Sequence, residues 1–306
     1  MTRFVTAFVV SITAAAFANA DSFKTTRIGI FRPTGTPQRD SLLLDTPGIN
    51  QYVPGQTTFI MTFFPPASGI TSLPTDIAVA GDWTGAGHWT PGVYRPTTGQ
   101  WFLDLDGDGF FSGSDPVFNF GGIAGDLPVV GDWVGNGRSC VGIFRQGFLW
   151  ILDTNCNQQV DAADSVFAFG GIAGDVPVTG NWGGTVSGAP ATNGPTRAGL
   201  VRPYAPGGVP SGPPFYWVFD AAPATDHIQA DHGPCLSAAI CGSAPFPYGG
   251  IAGDMFVTGD WLGTGVSHAG VYRQGTWIED TTGAHTYDTA FQFGGLPVDQ
   301  AIPGKW

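Results

Sequence analysis

Apolar residues in this chain gather in short runs, and each run stops at Gly, Asn or Asp. Around the segment Asp126–Asp164 the runs are Pro128–Trp133, Cys140–Arg145, Phe148–Asp153 and Ser165–Phe169. All are rich in Val, Ile, Phe and Trp, and turn residues bound them, which is the signature of β-strands. Outside the first twenty residues no window carries apolar positions at the helical period of about 3.6. The pattern therefore predicts an all-β protein built from units of four strands.

The units repeat. Trp83, Trp133, Trp182 and Trp261 each close a GDW or GNW triplet, and GKW stands at Trp306. The steps from Trp83 to Trp133 and on to Trp182 are 50 and 49 residues. Twelve residues after Trp83, Trp133 and Trp261 come Arg95, Arg145 and Arg273, each ending GVYR or GIFR. The Trp182 copy is stretched, with GLVR ending at Arg202. Near the start, GIFR at Gly29–Arg32 has no GDW before it; near the end, PVDQAIPGKW has no GIFR after it. Joined, these halves make one unit, so five units closing into a ring are expected. Four strands in about 50 residues fit a propeller blade. The prediction is a five-bladed β-propeller whose N- and C-terminal strands pair in one sheet. A stacked β-solenoid is the alternative, but it has no need of a shared unit. In the first unit, Ser41–Gly48 parallels the WILDTNC segment, and Phe59–Phe63 supplies the outer strand. Insertions at 183–196 and 220–243 interrupt the Trp182 unit.

Composition refines this picture. The chain has 47 Gly and 25 Pro, as many tight turns require. Its 42% apolar content is enough for a packed core. Residues 1–20 read as a secretory signal: Arg3, then the apolar stretch Phe4–Phe17, then Ala18-Asn19-Ala20 as a cleavage site. The apolar stretch is too short to span a bilayer comfortably, and no later segment is long and apolar enough, so membrane insertion is not expected. The expected mature domain is 21–306, secreted to an extracellular or periplasmic space. The whole chain carries a net charge of −12, and loss of Arg3 with the signal makes it −13. Such a charge argues against nucleic acid and anionic membrane surfaces as partners. Four cysteines in an exported chain point to two disulfides. Cys235 and Cys241 share a loop, and Cys140 and Cys156 flank a hairpin turning near Gln146-Gly147. The pairs Cys140–Cys156 and Cys235–Cys241 are expected, although four cysteines allow three pairings.

Candidate chemistry lies mostly in loops. Asp104, Asp106, Asp108, Ser112 and Asp115 fall at positions 1, 3, 5, 9 and 12 of one loop, with Gly109 at position 6. That spacing wraps one turn around a hard cation such as calcium, with the Phe110 carbonyl at position 7. Asp153, Asn155, Asn157, Asp161 and Asp164 keep the spacing with less charge, and Gln158 replaces the Gly. This is a second, weaker candidate loop. Asp226, His227, Asp231 and His232 form DHxxxxDH, which reads as a polar loop or as transition-metal ligands. The repeated tryptophans read as packing residues rather than sugar platforms. The arginines at 32, 95, 145, 202 and 273 read as structural, bonding turn carbonyls or a nearby carboxylate such as the Asp of GDW. Glycosidases typically pair a Glu acid with a second carboxylate. The one Glu here, Glu279, ends a third strand away from the ring's axis, and no nucleophile motif appears. An enzyme is not expected.

The GDW-x-G-x-G turn, the GVYR or GIFR strand and FGGIAGD together resemble FG-GAP/VCBS-type repeats, found in propellers related to the integrin alpha N-terminal domain. The resemblance covers nearly all of the chain after residue 20, and the unit count is similar to tachylectin-like lectins. In that family a D-x-D-G-D-G first turn binds calcium. The matching turns here are DWTGAG, DWVGNG, NWGGTV and DWLGTG. They lack most of the acids, so that calcium site is not carried over. The resemblance implies a non-catalytic adhesion or ligand-binding propeller with an extracellular glycan or protein as partner. A structural surface component and a propeller glycoside hydrolase are the alternatives.

Overall fold

A computed structural model describes residues 25–33, 40–50, 59–183, 185–186, 189–190, 194–202, 215–220 and 245–306. In chain order the strands are β1 (Gly29–Arg32), β2 (Ser41–Leu44), β3 (Phe59–Met61), β4 (Ile77–Gly81), β5 (Thr90–Arg95), β6 (Gln100–Leu103) and β7 (Val117–Asn119). There follow β8 (Leu127–Gly131), β9 (Cys140–Arg145), β10 (Leu149–Leu152), β11 (Ser165–Ala168) and β12 (Val176–Gly180). A small hairpin, β13 (Thr185–Val186) and β14 (Ala189–Pro190), stands inside the first insertion. The rest are β15 (Arg197–Arg202), β16 (Tyr216–Phe219), β17 (Phe246–Pro247), β18 (Met255–Gly259), β19 (His268–Arg273), β20 (Thr276–Glu279), β21 (Thr289–Gln292) and β22 (Gln300–Ala301).

These strands form five antiparallel four-stranded sheets: β4–β7, β8–β11, β12 with β15–β17, β18–β21, and β22 with β1–β3. They are blades 1 to 4 and a closing blade. The innermost strands touch in the cyclic order β4, β8, β12, β18, β22 and back to β4. The protein is a five-bladed β-propeller. Among the described residues the one helical element is a single turn, Pro66–Ser68.

Local sequence explains the hairpins. Gln146 and Gly147 both have positive φ, 54° and 77°, as do Gln274 and Gly275 at 46° and 95°. Two successive left-handed residues give a turn whose twist matches that of the flanking strands.

The core is divided among the blade interfaces. Each of the five buried apolar clusters joins two neighbouring blades; Trp83, Tyr94 and Trp101 of blade 1, for example, pack with Phe120, Val141 and Ile143 on the blade 2 side. The GDW tryptophans are buried in these clusters. Trp83, Trp133, Trp182 and Trp306 donate their indole N–H to a carbonyl at the start of the second strand. Burying a tryptophan removes about 150–250 Å² from water, a gross gain of roughly 4–6 kcal/mol at about 25 cal/mol per Å². Packing is therefore their role, as the sequence implied. The Gly of the triplet is needed because the indole folds back over it: a Cβ on Gly131 would lie 2.5 Å from both Trp133 and Thr196.

The ring closes through both ends of the described chain. Ile30 and Phe31 pair with Ala301 and Gln300, and Arg27 bridges to Gly304. Arg27 donates to the Trp306 carbonyl at 3.0 Å. Gln300 reaches across to blade 1, accepting from the Ala78 N–H at 2.9 Å and donating to the Asp76 carbonyl at 2.7 Å.

Candidate functional site

One kind of turn builds the corners after first and third strands. Asp45, Asp82, Asp104, Asp132, Asp153, Asp260 and Asp280 each accept the N–H of the residue five positions on, and most also that of the third or fourth. The residues three and five positions after each of these aspartates have positive φ. Short aspartates suit this because their carboxylates reach their own downstream backbone. In an antiparallel blade, corners after the first and third strands share a face, so these turns gather on one side of the ring.

The Asp104 turn is the first candidate metal centre. Carboxylate oxygens of Asp104, Asp106 and Asp108 lie within 4.8 Å of one another, the one such group of three acids or metal-ligating side chains among the described residues. Three hard oxygen donors so placed fit calcium chemistry. Burial pushes the Asp104 carboxyl up to about 7, against N–H bonds from Gly107 and Gly109 and with help from Asp115 and Asp108. Asp108 is also raised, by burial first and then by the Asp106 and Asp115 carboxylates. The remaining members of the predicted set brace the loop. Asp115 accepts the Leu105 and Ser112 N–H groups. Ser112 Oγ meets Ser114 Oγ at 2.6 Å, and Ser114 donates to Asp106. Phe110 donates its N–H to Asp108.

The second loop has the same backbone and different side-chain business. Cys156 and Gln158 take the left-handed positions that Gly107 and Gly109 hold in the first loop. Asp153 caps its turn through Asn157 and Gln158. Asn157 donates to Asp161 at 2.6 Å and accepts from Gln159, Asn155 accepts from Asn157, and Asp164 accepts from the Asp161 N–H. Its three acids do not converge as Asp104, Asp106 and Asp108 do. What does hold this loop is the expected Cys140–Cys156 disulfide, Cα–Cα 5.3 Å, tying it to the first residue of β9. Cys235–Cys241, the Asp226-His227 and Asp231-His232 pairs, residues 1–20, part of the first insertion and residues 221–243 of the second lie outside the described residues.

The arginines are structural, with a different partner from the one offered as an example. Arg32, Arg95, Arg145, Arg202 and Arg273 pair with Asp299, Asp76, Asp126, Asp175 and Asp254, not with the Asp of GDW. Each contact is two-pronged, through Nε and Nη2. The GDW carboxylates are occupied by their own turns, which leaves the acid preceding each first strand to face the guanidinium. Burial acts to raise Asp254, but the Arg273 hydrogen bonds and backbone N–H groups outweigh it and hold the carboxyl low.

One recurrent contact escaped the sequence reading. The backbone of Asp82, Asp132, Asn181 and Asp260 exchanges bonds with Ser139, Thr196, Ser267 and Thr26 of the next blade: the hydroxyl accepts the triplet N–H, and the carbonyl accepts the hydroxyl residue's N–H. At the fifth seam the equivalent residue is Trp89, whose N–H donates to the Lys305 carbonyl at 2.9 Å. The signal was present: a Ser or Thr stands six residues before the recurrent Arg in four units.

The innermost strands enclose a channel of about 890 Å³. Its wall is lined by residues such as Ala78, Pro128, Pro177, Phe256 and Ala301, and the corner residues Asp82, Asp132, Asn181, Asp260 and Lys305 stand at its mouth. Glu279 is not among its lining residues. It is buried in β20 instead, and burial, with the Asp288 charge adding, pushes its carboxyl up to about 8.

These features define a propeller with a polar-mouthed axial channel and a corner loop in which three carboxylates converge. No family model and no curated protein matches the chain.

Proposed function

We propose that this protein is an exported, non-catalytic binding propeller of the FG-GAP/VCBS type, with a calcium-stabilised corner loop and an extracellular glycan or protein as ligand. The observation that carries the reading is the shared face of the ring. There the axial channel opens among corner turns whose carboxylates are fixed by their own backbone. Rigid corners around a preformed opening lower the ordering cost of binding. Asp104, Asp106 and Asp108 would hold the ion. Calcium supplies charge neutralisation there, and Asp115 and Ser112 keep the loop wrapped. Residues 1–20 serve export, and the Cys140–Cys156 bridge suits an oxidising compartment.

Two measurements test this. In calcium titration followed by thermal denaturation, the wild type gains stability and Asp106→Ala does not. An equal gain in the variant places the ion elsewhere. A glycan array and an extracellular protein array, each run with calcium and with chelator, should yield a calcium-dependent ligand. Silence on both arrays removes the binding reading.

A further inference from the structure

We infer that the channel mouth at the closing seam is a subsite for a neutral saccharide, seated against Trp89 and held by Lys305, Asp82 and Asp260. This deepens the proposed binding function and rests on it.

Two departures from the repeat meet there. Four seams carry a Ser or Thr at the clasp position, and this seam alone carries an aromatic, Trp89. Four triplets carry Asp or Asn before the Trp, and this one alone carries Lys305. Both exceptions line the channel, and they touch through the Trp89 N–H and the Lys305 carbonyl. Trp89 is half-buried: it packs against the seam core and is also among the residues that line the channel. The other tryptophans at triplets and third strands are buried. Nothing in ring closure requires the change, because the hydroxyl residues close the other four seams.

The surrounding charges select the ligand. Lys305 Nζ lies 3.8 Å from Asp260 Oδ2, and Asp82 flanks the mouth. An anion would meet two carboxylates, and a cation would meet the ammonium. A polyhydroxylated neutral ring needs both acceptors and a donor, and its apolar face matches an indole. The carboxylates are fixed in place by their corner turns, Asp82 through the Ala86 and Gly87 N–H groups and Asp260 through those of Thr264 and Gly265.

The test uses the full chain and a panel of hexoses, N-acetylhexosamines and their oligomers, with sulfated and uronic oligomers and quaternary ammonium compounds for contrast. Binding is read by saturation-transfer NMR and calorimetry. Trp89→Ser and Lys305→Asp restore at this seam what the other blades carry, so both should fold, which melting curves verify. A neutral saccharide should bind the wild type, and each variant should weaken it about tenfold or more, a loss of about 1.4 kcal/mol. Trp89→Tyr should keep most of the affinity, which a purely structural role would not demand. A panel silent for neutral sugars, or preference for the anionic or cationic compounds, overturns the ligand class. Undiminished glycan binding by folded Trp89→Ser and Lys305→Asp overturns the location, yet leaves the broader binding function standing.

Discussion

Glu279 shows how one residue can work against a repeat. At its position the other blades carry Leu44, Leu103, Leu152 and Phe219, all buried in interblade clusters. Glu279 faces Gly270 across the β19–β20 ladder, and the Trp261 ring lies 3.0 Å from where a Gly270 Cβ would stand. In the same blade the buried Trp261 indole N–H has no partner among the described residues. The unfolded chain ionises Glu279 near pH 4.5, whereas the folded one holds the proton to about 8. Between those values the native state binds a proton the unfolded state lacks, so stability falls as pH rises, and the loss is complete above about 8. Glu279→Leu should therefore stabilise the protein by ~3–5 kcal/mol at pH 8. The gain should shrink toward nothing near pH 4.5, as read from denaturant melts across pH. A gain that does not change with pH would refute the account. The Arg202–Asp175 pair, both side chains buried, makes a second prediction at this scale. Arg202→Met leaves Asp175 unpaired and should cost ~3–5 kcal/mol in the same melts.

At the scale of elements, the informative unit is the Asp-capped corner. It serves the corners after first and third strands alike, and the acidic loop is one corner with extra carboxylates. The strands and corners were readable because period, turn residues and the GDW and GIFR landmarks agree with one another. The runs Cys140–Arg145 and Ser165–Phe169 differ from their observed strands by a residue or less. Less readable was which carboxylate each arginine meets, because Asp126 and Asp132 are near in sequence and only the fold turns one toward Arg145. The Ser and Thr clasps were missed for a similar reason: their partners lie in another blade, 57 residues away for Ser139 and Asp82. Of the acidic loop, the chain spacing located the convergent triplet Asp104, Asp106 and Asp108. Asp115 and Ser112 keep the same spacing and brace the loop with bonds of their own, as Asp104 also does. The disulfide acts at this scale too. It closes a loop of separation 16, so Cys156→Ser should cost roughly 2–3 kcal/mol, seen as a lower denaturation midpoint under non-reducing conditions.

For the whole molecule, stability is shared around a ring with five interfaces and no single centre. Each apolar cluster depends on two blades, so opening one seam exposes two faces at once. Removing residues 299–306 takes away β22, the Asp299 partner of Arg32 and the Trp306 indole. The truncated chain should lose cooperative unfolding altogether, by circular dichroism and by heat. A melting curve unchanged from wild type would show that the seam is dispensable.

That seam also sets an order of events during synthesis. β1 is made before its inner neighbour, which follows some 270 residues later, as the pairing of Ile30 with Ala301 requires. Until then the nascent chain carries an incomplete blade whose edge and apolar face have no cover. A chaperone that grips unfinished sheets, or passage through a translocation pore before folding, would bridge that interval.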